Sequence, residues 1–215
     1  MVMKDTHQPA HATRQRILDA ASSVFAADGF GGARVDEIAR RAGVNKALLY
    51  YHVGNKQTLY TAVLMCNFDR VEAALAEATA PEGPARDRLA AVIATVTRTM
   101  QTYPDHPRIV LRELASAGDH LQPEVLDRML RVVEIVRGLL ADGVRNGEFR
   151  ATEPVMTHLT MIGASLILNA VAPLRSRAAA IGPGMQIPDD DAEVAPFLTD
   201  LLLNGIAAPG SGERK

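Results

Sequence analysis

The chain has 215 residues, a formal net charge of −2 and a single cysteine. At this length it buries roughly 70% of the surface its unfolded form exposes, enough for one large domain or two unequal ones. The lone Cys66, set among apolar residues, excludes a disulfide framework and a cysteine-built zinc site within one chain, and points to a reducing, cytoplasmic setting.

Charge is placed unevenly. Residues 1–60 carry eight basic against five acidic side chains, a net +3, which leaves 15 basic against 20 acidic, or −5, for the rest. A basic head on an acidic body favours a polyanionic partner for the head alone. The first residues, MVMKDTHQPAHAT, lack the apolar run of a secretory signal, so 1–12 is expected as a loose polar tail. Thr13 is then placed to cap a helix over 13–28, with Ile17, Ala21, Val24 and Phe25 on one face and Asp28-Gly29 at its end. Val35, Ile38, Ala39 and Ala42 mark a short second helix that Gly43 breaks, and Asn45 is placed to cap a third to about Val53. Gly54-Asn55 repeats the breaker and cap, and opens a long helix over 56–80.

Two short helices joined by a glycine-containing turn form a minimal helix-turn-helix. Ala39 is small where the helices cross, Gly43 admits the positive φ of the turn, and Leu49 packs back beneath the second helix with Ile38 and Val44. With Leu49 inward, Lys46, Ala47, Tyr50 and Tyr51 fall outward, a face suited to a major groove. Lys46 can reach a guanine edge or a phosphate, Ala47 and Tyr51 can touch thymine methyls, and Tyr50 and His52 can bond phosphates. Lys56 adds charge beside the fourth helix N-terminus, where phosphate is already favoured. Arg40 and Arg41, at the end of the second helix, suit its dipole.

The stretch Thr13–Tyr60, including VDEIARRAGVNKALLYYHVGNK, resembles the DNA-binding domain of the TetR family of bacterial transcriptional repressors. That resemblance implies an all-helical homodimer with two DNA-reading heads and a larger ligand-binding body. It carries DNA contact onto Lys46, Tyr50, Tyr51, His52 and Lys56, with Asn45, Ala47 and Leu48 on the same short helix. The pattern departs at Arg34 and Leu48, where small hydroxyl residues are usual, and at Val53, where Phe is common. Arg34 can meet a phosphate but cannot accept the capping hydrogen bond, so the second helix is expected to start without a side-chain cap.

Beyond Pro81-Glu82-Gly83-Pro84, apolar spacing predicts helices over 85–103, 107–117, 123–146, 153–173 and 192–206, with a Gly, Pro and Asp-rich loop at 176–191 and a disordered tail at 209–215. The fold class is all-α, about nine helices: a helix-turn-helix head over 13–56 and a ligand-binding and dimerisation body over 57–208, joined by the 56–80 helix. Met65, Phe68, Met100, Tyr103, His106, Met129, His158 and Met161 suit either a Met-rich core or an adaptable pocket, and the family resemblance implies the latter, with these as candidate lining for a small, mostly apolar ligand. The stretch from Pro154 to Leu174 has no charged residue and would nearly span a bilayer, but its Thr, His, Ser and Asn content favours a helix buried on most sides. Gly163, Ala164 and Leu166 there, with Val194, Phe197, Leu198, Leu201 and Leu202 of the last helix, form apolar stripes that could be intrachain core, and the resemblance implies that they build a four-helix dimer interface.

The expected function is a ligand-responsive DNA-binding transcriptional regulator, a repressor released from a near-palindromic operator by its effector. Two other classes compete: a helical protein-interaction module without DNA binding, and a small metal-dependent enzyme. Asp105-His106, Asp119-His120 and Glu153 with His158 would have to serve the latter, but the Glu-x-x-His pairs of helical metal sites are missing, as are the G-x-S-x-G, H-E-x-x-H and phosphate-loop patterns. No cofactor is expected.

Overall fold

The computed structural model describes residues 7–79, 82–174, 177, 180 and 191–206. Within them the chain forms α1 (His7–Gly32), α2 (Val35–Ala42), α3 (Lys46–Val53), α4 (Lys56–Thr79), α5 (Ala85–Thr102), α6 (Asp105–Ala115), α7 (Pro123–Arg145), α8 (Pro154–Val171) and α9 (Asp191–Ile206). A single 3-10 turn, Ala172–Leu174, follows α8.

The first helix begins at His7, six residues before Thr13, so the segment expected as tail is helical from that point. Pro9 does not oppose this, because a proline within the first turn forfeits an N–H that has no intrahelical partner there. The break expected at Asp28-Gly29 is present: Gly29 adopts φ 71°, ψ 175° inside α1. The tail at 209–215 lies outside the described residues, as does the 176–191 connection apart from Arg177 and Ala180, which are helical, and Asp191, which opens α9.

Local chemistry fixes several helix ends. Gly43 sits at φ 66°, ψ 37°, and its own N–H and that of Val44 return to the last carbonyls of α2. The Asn45 side chain accepts from Leu48 N at 2.8 Å to start α3. Asn55 does the same for α4, accepting from Thr58 N at 2.9 Å. Glu148, distant in sequence, takes the Ala85 and Arg86 N–H groups at the head of α5, while Arg150 donates to the Gly205 and Ile206 carbonyls at the foot of α9.

Two clusters of buried side chains make the core. One holds the head, with Ile17, Phe25, Ile38, Leu49 and Tyr60, and continues into Ile109 of α6 and Val125 of α7. The other fills the body around Leu75, Leu89, Ile93, Val136, Leu140 and Leu198. Packing thus runs without a break across the junction between residues 56 and 57.

The expectation that α8 is buried on most sides is not met. His158, Met161, Ser165 and Leu166 face the core, while Val155, Met156, Leu159 and Ile167 are exposed. Of the residues expected at a dimer interface, Leu166, Val194 and Leu198 are packed within their own chain and so cannot contact a second one. Phe197 and Leu201, on the adjacent flank of α9, are more than half exposed, and Gly163, Ala164 and Leu202 are partly so. The helical period explains the split: 194 and 198 share one face, 197 and 201 the next.

Candidate nucleic-acid interface and effector cavity

On α3 the inward pair is Leu49 and Val53, one turn apart and both buried. Their burial turns Lys46, Ala47, Tyr50 and Tyr51 outward; Tyr51 is 83% exposed and Tyr50 40%. Tyr51 also meets the His52 ring edge-on at 5.4 Å. Leu48 is exposed beside them. The result is a short exposed face of aromatic, small and basic groups on an eight-residue helix.

Lys46 Nζ lies 2.9 Å from the Asp36 carboxylate of α2, which holds the ammonium in its charged form and ties the two helices. Both side chains are at least half exposed, so the pair is weak and leaves the ammonium accessible from solvent. Arg40 and Arg41 both pair with Glu37, whose carboxyl they bring down to about 2. Arg34 stands at the N-cap of α2 in extended conformation with no side-chain capping bond, as its chemistry requires. Two residues grouped with the DNA contacts have structural duties: Asn45 Oδ1 is taken by the cap, and the Lys56 ammonium turns back over the Phe30 ring, 4.9 Å from its centroid, towards the Gly31 carbonyl.

In the body, Phe68 and Val71 of α4, Val96 and Met100 of α5, His106 and Val110 of α6, Met129 and Val132 of α7, and His158, Ile162 and Leu166 of α8 enclose a cavity of about 70 Å³. Five of the eight expected lining residues thus come together: Phe68, Met100, His106, Met129 and His158. The other three are elsewhere. Met65 packs against the head cluster, Met161 is buried in the body core, and Tyr103 lies on the surface under the Arg70 guanidinium, 4.4 Å from its ring centroid. The remaining lining is aliphatic, and no sequence signal separates an aliphatic side chain at a cavity from one in a filled core. Burial holds the His106 imidazole down to about 4 and lowers His158 as well, so both are neutral at pH 7.

A polar junction between cavity and head escaped the sequence reading altogether. Tyr60 of α4 is buried and donates its hydroxyl to Glu113 Oε1 of α6 at 2.5 Å. Desolvation, then the adjacent carboxylate, raise the Tyr60 pKa and keep that proton in place. Glu113 also accepts from His120 N at 3.3 Å, and the His120 ring stands 4.4 Å from that of Phe30 in α1. One residue before Glu113, Arg112 donates to the Ala26 and Ala27 carbonyls just ahead of the Gly29 break. Helix α6 therefore has His106 in the cavity wall and Arg112 and Glu113 on the head.

Residues 17–63 match the family described as bacterial regulatory proteins, tetR family, and residues 82–168 match the tetracyclin repressor-like C-terminal domain. RutR of Escherichia coli K12, an HTH-type transcriptional regulator, is 30% identical over 146 residues, spanning 66% of this chain and 67% of RutR. The chain belongs to the TetR family. NicS of Pseudomonas putida, an HTH-type transcriptional repressor, is 28% identical over 205 residues, 93% of this chain and 94% of NicS. The TetR-family fold extends over the whole body: a bacterial regulatory protein of the tetR family from Rhodococcus RHA1 superposes with a TM-score of 0.76 at 22% identity, covering 91% of this chain and 97% of that one. As a TetR-family member the protein is a ligand-responsive, DNA-binding transcriptional regulator and not an enzyme. Regulators of the TetR family bind DNA and small effectors, typically as dimers.

Proposed function

We propose that the protein is a cytoplasmic, homodimeric repressor that sets α3 of each copy into successive major grooves of a near-palindromic operator and leaves it when a small, mostly apolar effector fills the body cavity. The observation that carries this is the double attachment of α4 and α6. Phe68 and His106 wall the cavity, while Tyr60, Arg112 and Glu113 of the same two helices hold the head. A cavity of about 70 Å³ is smaller than the roughly 150 Å³ space that accepts benzene, so an effector must part these helices to enter. Parting them moves the heads, and a dimer whose half-site spacing no longer matches about 34–36 Å releases DNA.

Base and backbone contacts divide along α3 in this reading. Lys46, Ala47, Leu48 and Tyr51 face base edges, while Arg34, Tyr50 and His52 meet phosphates. Asn45 acts through its cap, and Lys56 reaches phosphate on leaving the Gly31 carbonyl. In this reading the second copy packs on the uncovered apolar surface of Leu159, Ile167, Phe197 and Leu201, with Gly163 and Ala164 admitting close helix approach; the exposure of those apolar side chains supports it. Repression is inferred from the similarity to NicS, a transcriptional repressor that aligns with this chain over nearly its full length.

A gel shift with the DNA upstream of its own gene, at stated salt, tests the reading. Specific retardation that requires Tyr51 and Lys46 is expected; binding without sequence preference, or none, refutes it.

A further inference from the structure

The effector cavity is apolar except at two points. His106 of α6 and His158 of α8 are 5% and 8% exposed, both line the space, and the Nδ1 atom of each is buried without a hydrogen-bond partner among the described residues. Buried polar atoms are nearly always paired, so two unmet imidazole nitrogens at one cavity point to a group supplied from outside.

The chemistry of that group is restricted. A neutral imidazole offers one donor and one acceptor, and a hydroxyl offers one donor and two acceptors, so a hydroxyl can meet an imidazole nitrogen in either tautomer, and can meet two at once when at least one of them carries a hydrogen. A hydrocarbon of the same shape leaves both nitrogens unmet. A carboxylate brings acceptors only, with a charge that needs a buried cation. Burial keeps His106 neutral, no Lys or Arg is among the described lining residues, and nearby Arg70 is engaged by Asn67, Asp19 and the Tyr103 ring.

We propose that His106 and His158 are the polar handle of the cavity and select an uncharged effector bearing a hydroxyl, phenolic or alcoholic, over its hydrocarbon and carboxylate counterparts. This rests on the reading of the cavity as the effector site. The same selection orients the ligand, since a hydroxyl held by His106 anchors it to α6, which grips the head, and one held by His158 anchors it to α8, which carries the open apolar face.

Isothermal titration of the full-length protein at pH 7.5 with phenol, toluene and benzoate, three probes of similar size, tests it. Phenol is expected to bind about tenfold more tightly than toluene, the equivalent of 1.4 kcal/mol, and benzoate more weakly than either. His106→Leu with His158→Leu is expected to erase the preference and keep toluene binding. Because that variant can fail to fold, imidazole ¹⁵N shifts are read on the unaltered protein, where phenol and not toluene should move the His106 and His158 Nδ1 resonances. Equal affinity for phenol and toluene, or tightest binding of benzoate, overturns the handle and leaves the cavity as an effector site. Saturable binding of none of the three overturns the cavity reading as well.

Discussion

Replacing Tyr60 by Phe removes one oxygen atom and leaves the packing around Phe25 and Phe30 in place. The lost group is the hydroxyl that donates to Glu113 at 2.5 Å, with Tyr60 1% and Glu113 4% exposed. A hydrogen bond to a charged acceptor contributes about 1.5–3 kcal/mol, and a buried carboxylate left short of a donor adds its own desolvation cost. Glu113 keeps the His120 N–H at 3.3 Å, which limits the loss, so about 2 kcal/mol is expected. For a chain of this size that is a fall in Tm of roughly 4–8 °C. Thermal unfolding at fixed protomer concentration measures it, since the proposed dimer would make Tm concentration-dependent. Glu113→Gln, which retains an acceptor for the Tyr60 hydroxyl, is expected to lose less than Glu113→Ala. If Tyr60→Phe and Glu113→Ala both unfold at the temperature of the unaltered protein, the junction contributes nothing and its role in joining cavity to head is refuted.

Acid should weaken the fold through the cavity histidines. A group whose pKa is lowered on folding gives stability present above its unfolded value, about 6.5, and lost as pH falls towards its folded value, here about 4 for His106. Between pH 7 and pH 5 the loss from His106 is about 2 kcal/mol, with His158 adding in the same direction; urea midpoints across that range should fall, and His106→Leu should flatten the slope. At the DNA face, Lys46→Ala is expected to weaken operator binding about 5- to 150-fold and relax the preference at one base pair, whereas a uniform loss with a shallower salt slope would assign Lys46 to phosphate. Asp36→Asn, which releases Lys46 from its ion pair and removes a negative charge, should tighten DNA binding in the same gel shift; weaker binding would mean that Asp36 positions Lys46 productively. Leu201→Arg, on the open side of α9, should give a monomer in sedimentation equilibrium, and an intact dimer would place the interface elsewhere.

The head was legible because its decisions are local. Gly43 with Asn45, and Gly54 with Asn55, each end one helix and cap the next within four residues, so α2, α3 and the start of α4 follow from the sequence to within a residue. The start of α1 did not, since Pro9 and the polar residues around it are equally compatible with a tail and with a first helical turn. The body was legible as helices but not as surfaces. Val194 and Phe197 look alike in sequence, yet one is 2% and the other 64% exposed, because α5 covers one side of α9 and the other is left open. Glu113 reads as an ordinary solvated carboxylate; Tyr60, 53 residues away, provides the donor that makes its burial tolerable.

The junction also bears on which helix transmits the signal. Sequence singles out α4, since it alone runs from head to body. In the structure α6 makes the more specific grip: Arg112 holds carbonyls beside Gly29, the one point where α1 departs from helical geometry, and Glu113 fixes Tyr60. Displacing α6 by a ligand at His106 would pull on both α1 and α4, and thus turn the head as a body instead of sliding one helix past it. The two routes differ in what Arg112→Ala does. If α4 alone carries the movement, effector still releases DNA from the variant at the usual concentration. If α6 does, the variant binds the operator and responds poorly to effector, and titrating release in the gel shift separates them.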